Sequence, residues 1–127
     1  MFVESFAGAH EIETVAELET LIHTQHRNDA NNLWISRTRG SHPVLAILVR
    51  ANQANVHYFP EPGHPGHVAR NPRVDAAAPD VVFYTNTDTE KIVAGAAWVV
   101  SLEDAIAAAR AFFAGATLPG GLHWDEL

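Results

Sequence analysis

The sequence predicts an α+β domain: a mainly antiparallel sheet with two helices packed on it. Three observations lead there. Apolar residues recur at helical spacing in two stretches, one near each end of the chain. Between them lie several short runs of strand length, rich in Val, Ile, Tyr and Phe. The middle runs are joined by turns too short to hold crossover helices, which makes neighbouring strands antiparallel.

Residues 2–12 read as an extended opening segment. Thr14 then begins a T-x-x-E capping box with Glu17. Val15, Leu18, Leu21 and Ile22 follow at helical spacing, with Glu13, Glu17, Thr20 and Thr24 on the opposite side, so a helix is predicted over 15–26. Asn28 to Asn32 should stop it, because Asn and Asp favour turns. Leu33–Thr38 and Val44–Arg50 read as strands around a Gly40–Pro43 turn. The second strand is apolar at both parities, as in a central strand covered on both faces. After a polar turn at 51–55, Val56–Phe59 is the return strand.

Residues 60–67 hold three Pro and two Gly, which forces a loop. Val81–Thr85 is a further strand, and Ile92-Val93 opens another after a turn at 86–91. Ser101, with Asp104 three residues on, caps a last helix whose apolar arc runs from Leu102 to Phe113 and whose end is at Gly115. The tail carries Trp124, expected to fold back because an exposed indole would forgo about 2 kcal/mol of burial. Trp34, Trp98 and the Phe112-Phe113 pair are assigned to the core as well. Tyr58 and Tyr84 lie in strands, as core or as interface anchors.

The 127 residues are 47% hydrophobic and 18% charged, a globular composition that fits one domain spanning 1–127. Without cysteine, disulfides, Cys-ligated metals and thiol nucleophiles are excluded. The longest strongly apolar run, Val44 to Val49, is too short for a bilayer. Met1-Phe2-Val3-Glu4 does not open a signal peptide, so a soluble cytoplasmic protein is expected.

The formal net charge of −7 is unevenly spread. Residues 1–29, 30–74 and 75–127 carry −5, +4 and −6. An acidic chain repels phosphate, and no aromatic-interleaved basic stripe accompanies the central arginines, so direct nucleic-acid binding is not expected. Such a surface suits a basic partner instead.

Catalytic patterns are missing. His10-Glu11 would start H-E-x-x-H, but position 14 is Thr. His23 and His26 share a helical stretch without a carboxylate at relay spacing. Ser36, Ser41 and Ser101 lie outside G-x-S-x-G, and no phosphate-binding Gly loop occurs. The one cluster with ligand spacing is His57, Glu61, His64 and His67, whose Glu-x-x-His-x-x-His could present three ligands to a metal. Its competing reading is a solvated loop of titrating imidazoles. No cofactor is expected.

Taken in order, the segments LWISR (33–37), HPVLAILV (42–49), VHYFPEPGHPG (56–66), VVFYTN (81–86) and VSLEDAIAAARAFFAGATLPGGLHW (100–124) resemble the small immunity proteins of bacterial polymorphic toxin systems. The group most similar is the one usually encoded beside deaminase-type toxins. The shared features are Tyr58-Phe59-Pro60 and a C-terminal pattern of Phe112, Phe113, Gly115, Pro119 and Trp124. Ala114 stands where that family usually has Thr.

The resemblance implies a non-enzymatic inhibitor that binds its cognate toxin domain, here a zinc-dependent nucleobase deaminase. Such an enzyme must admit a nucleic-acid strand, so its groove should be cationic. An acidic protein could occlude that groove or the active site. The family's shared positions are structural, so interface candidates come from exposed acids near loops: Glu61, Asp80, Asp88 and Glu90, with Tyr84 as an aromatic anchor. Glu13 and Glu17 on the outer helix face are second choices. The alternative is a small His-rich metal-dependent enzyme or metal sensor.

Overall fold

The structure, a computed structural model, describes residues 1–75, 77–115 and 117–127. The opening segment is a hairpin of β1 (Phe2–Ser5) and β2 (Gly8–Glu11). Gly8, at φ +111°, lets the chain reverse where a side chain would be strained.

Helix α1 (Val15–His23) begins at the predicted cap: Thr14 Oγ1 accepts from the Glu17 amide at 3.2 Å, and its hydroxyl donates to Glu17 Oε1 at 3.1 Å. It ends three residues short of 26. Thr24 turns extended there and donates from Oγ1 to the Thr20 carbonyl at 2.7 Å. Left-handed Asn28 and Asp29 (φ 63° and 56°) then feed β3 (Ala30–Ser36).

The remaining strands are β4 (Val44–Arg50), β5 (Gln53–Phe59), β6 (His67–Arg70), β7 (Val81–Tyr84), β8 (Lys91–Ala94), β9 (Val100–Ser101) and β10 (His123–Glu126). Helix α2 is Leu102–Gly115. The main sheet runs β10-β6-β5-β4-β3-β1-β2, with β9 paired to β5, and every pairing is antiparallel. β4 is central, as its apolar run predicts.

Both helices cover one face. Leu18 and Ile22 of α1, with Ala105, Ile106, Ala109 and Phe112 of α2, pack on Leu33, Ile35, Leu45, Ile47, Val49 and Val56. An ion pair between Arg110 and Glu19 ties the helices together. On the other face, strands β7 and β8 form a separate hairpin over a second cluster of Leu48, Phe83, Ala94 and Val99. β4 is thus covered on both sides because its alternate residues serve two clusters.

Several expectations change, among them the turn at 51–55, inside which β5 already begins at Gln53. Nothing in the sequence predicts β6 and β10: His67 opens a strand instead of closing the loop, and the tail adds an edge strand to it, pairing Trp124 with Ala69. Trp124 does fold back, donating from Nε1 to the Pro119 carbonyl at 2.9 Å. Trp98 is 37% exposed rather than core. Its indole N–H donates to Asp125 Oδ2 at 2.9 Å, which holds the half-exposed ring against β10. Trp34 is half-buried on the face away from the helices, stacked on Phe59 at 6.2 Å between ring centroids.

Candidate interaction surface

The β7–β8 hairpin gathers most of the predicted interface residues. Its turn is built locally. Asn86 is left-handed at φ 62°, the Thr85 amide donates to the Glu90 carbonyl at 2.9 Å, and Asn86 Nδ2 donates to Glu90 Oε2 at 3.3 Å. Asn28 Nδ2 reaches across to the Asp88 carbonyl at 3.1 Å and fixes the turn to the body. Asp80 and Glu90 are exposed and Asp88 is half-buried. These three acids face one base, Lys91, over residues 80–94.

Tyr84 does not serve as an outward anchor. It is 6% exposed, with the Arg50 guanidinium 5.7 Å from its ring centroid. The same arginine donates from Nη1 to the Val82 carbonyl at 3.0 Å. Tyr84 and Arg50 therefore anchor the β7 edge of the hairpin to the sheet. β8 leaves aliphatic side chains exposed on both faces: Ile92, on the Phe83 side, is 43% exposed, and Val93, on the opposite side, 59%. The sequence marked these two as a strand but carried no signal of their exposure, because the parity of a four-residue strand is not visible without its partner.

The other acids lie elsewhere. Glu13 and Glu17 are exposed beside the first turn of α1, on the helix-covered side of the sheet. Glu61 is exposed in the loop after β5, whose last residue Phe59 pairs with Val44. Arg50, which carries the hairpin, is at the other end of β4, about 20 Å away along the strand. On the hairpin, Asp88 and Glu90 sit at the turn and Asp80 at the open end before Val81, whereas Glu61 and the helix acids lie off the hairpin.

The proposed metal-ligand set is also divided. His57 points to the hairpin side of the sheet, while its neighbour in sequence Tyr58 pairs across to His67 on the helix side. Asn55 Nδ2 donates to the Trp98 carbonyl at 2.8 Å, so Asn55 Oδ1 is the atom facing His57 Nε2 at 2.9 Å. His57 Nε2 must therefore carry the proton. Burial lowers the His57 pKa from its ordinary 6.5.

His64 and His67 do come together, with ring centroids 5.2 Å apart, but their carboxylate is Glu126 and not Glu61. His64 Nε2 lies 3.5 Å from Glu126 Oε1. His64 Nδ1 accepts from the Gly66 amide at 2.8 Å, which places the ring proton on Nε2, toward Glu126. The Leu127 amide adds a bond to the Gly66 carbonyl at 2.9 Å. His67 stacks on His64, His64 faces Glu126, and the Leu127–Gly66 main-chain bond closes a clip that fastens the end of β10 to the loop. A cation at Nε2 would have to displace that proton and deprive the Gly66 amide of its acceptor.

Residues 7–126 match the family model described as Immunity protein Imm1. The chain belongs to this family. Along its whole length it is 30% identical over 127 residues to a double-stranded DNA deaminase immunity protein of Burkholderia cenocepacia (strain H111), with all of each chain covered. The resemblance of the ordered segments to immunity proteins of deaminase toxin systems is thereby borne out, and the function of this Imm1 protein is toxin immunity. No helix among the described residues is long and apolar enough to cross a membrane.

Proposed function

We propose that this Imm1 protein protects its cell by binding a nucleobase deaminase toxin and covering its active site or nucleic-acid groove, without chemistry of its own. The observation that carries the reading is the end-to-end similarity to a relative named for immunity to a double-stranded DNA deaminase. Such a toxin must accommodate phosphate-bearing strand and take a base into a pocket, so its entrance is cationic. A protein of net charge −7 is drawn to that entrance and repelled by the nucleic acid itself. The part of this charge we assign to the contact is Asp88 and Glu90 at the hairpin turn and Asp80 at its open end, on either side of exposed Ile92 and Val93. The site of action is the cytoplasm, where such a toxin meets its substrate.

The test is co-expression with the toxin encoded by the neighbouring gene. Cells carrying this chain should survive toxin induction, and purified chain should stop deamination at a one-to-one ratio without modifying toxin or substrate. Equal killing with and without the chain would reject the reading.

A further inference from the structure

We propose that β8 is an open sheet edge that receives an extended strand of the toxin, so that recognition proceeds by strand addition. This rests on the proposed function above. The ladder of the hairpin sets the geometry. The Thr85–Glu90 hydrogen bond makes that pair a bonded one. By antiparallel alternation, Phe83–Ile92 and Val81–Ala94 are then bonded pairs, and Tyr84–Lys91 and Val82–Val93 are non-bonded. The amide and carbonyl of Lys91 and Val93 consequently point away from β7.

The two edges of the hairpin are treated differently. On the β7 side, the outward carbonyl of Val82 is met by Arg50 Nη1 at 3.0 Å. On the β8 side, no hydrogen bond among the described residues meets the outward groups of Lys91 or Val93. The edges of the main sheet are guarded by charge: β2 ends in Glu11, and β10 carries Asp125 and Glu126. β8 reads Lys-Ile-Val-Ala, and its Val93 is the most exposed large aliphatic residue among those described, at 59%. Natural sheets do not leave an apolar edge bare unless something pairs with it.

Charge selects the occupant. A second copy carries the same net charge of −7 and is repelled as a whole, whereas a basic strand meets Asp88 and Glu90 at the turn end of β8 favourably. The matching segment is extended, apolar at the two consecutive positions that lie beside Ile92 and Val93, one on each face of the strand, and flanked by Lys or Arg near the hairpin turn. Its main chain supplies the outward hydrogen bonds and its side chains the specificity.

The probe is the toxin domain encoded beside this gene, inactivated at its catalytic glutamate. Val93→Pro deletes one outward amide without touching a bond to β7, a position where proline is tolerated in an edge strand. Val93→Lys keeps the backbone and guards the edge. Each should weaken binding at least tenfold while leaving the melting temperature within a few degrees of wild type. Hydrogen exchange supplies a readout independent of folding: the Lys91 and Val93 amides should exchange fast in the free protein and slowly in the complex. The proposal is overturned if wild type binds and protects but both variants bind equally well, or if those amides stay fast in the complex. It is also overturned if β8 pairs with a second copy, seen as a dimer that Val93→Pro dissolves. Failure of wild type to bind or protect would instead reject the functional reading, and this proposal with it.

Discussion

Arg50 is bound to Val82 across the two layers of the molecule: its Nη1 donates to the Val82 carbonyl at 3.0 Å while its guanidinium lies over Tyr84. One side chain from the central strand thus satisfies an outward hairpin carbonyl and packs on a buried ring. Arg50→Ala leaves that carbonyl without a partner in a half-buried setting, which costs about 1–3 kcal/mol. Urea denaturation should show this loss. Hydrogen exchange should place it in residues 81–94, and toxin protection should fall with it.

Reversing the hairpin charges separates steering from contact. Asp80→Lys, Asp88→Lys and Glu90→Lys combined should slow association with the toxin domain by tenfold or more at low salt. The dependence of the on-rate on ionic strength should flatten, with little change in dissociation. Stopped-flow association between about 20 and 500 mM salt checks this. The same reversals at Glu13 and Glu17, on the far side of the sheet, should have a smaller effect.

Asn31 holds three segments at once. Buried at 1% exposure, it donates from Nδ2 to the carbonyls of Thr24 at 2.8 Å and Leu21 at 3.2 Å, and its Oδ1 accepts from the Phe6 amide at 3.2 Å. The end of α1 and the β1–β2 turn are both fastened to β3 through this amide. Asn31→Ala should lower stability by about 2–3 kcal/mol, because several main-chain groups lose their partner together. A chemical denaturation midpoint that moves without a change in slope is the expected signature.

His57 predicts a pH dependence. Burial disfavours its charged form, so the folded-state pKa lies below the ordinary 6.5 of the unfolded chain. Well above 6.5 the ring is neutral in both states and contributes no pH dependence. As pH falls from 6.5 through the lowered value, the unfolded chain takes up the proton first, and the folded state loses stability. His57→Gln retains a donor for Asn55 Oδ1 and does not titrate. The stability gap between pH 7.5 and pH 5 should therefore be smaller in the variant than in wild type, as measured by urea melts at both values.

How far the sequence reaches depends on where an element's partners lie. Both helix starts are legible because capping is local: Thr14 and Glu17 are three residues apart, and Ser101 Oγ accepts from the Asp104 amide at 3.0 Å. The central strand is legible because covering both faces leaves an unbroken apolar run. β6 and β10 are hidden because each is short and takes its meaning from the other, more than fifty residues away. Asn31 and Asn32 resemble a turn in composition, yet sit in β3 because Asn31 finds its partners in α1 and β1. The acids were readable as surface groups, but whether Asp80 and Glu17 share a surface depends on which side of the sheet each faces, and that is a property of topology.

The β7–β8 hairpin rests on its own small cluster of Leu48, Phe83, Ala94 and Val99, apart from the layer between the helices and the sheet. Residues on its outer surface can therefore vary without disturbing the packing on which folding relies. A substitution there alters what the molecule displays and leaves untouched the skeleton that displays it.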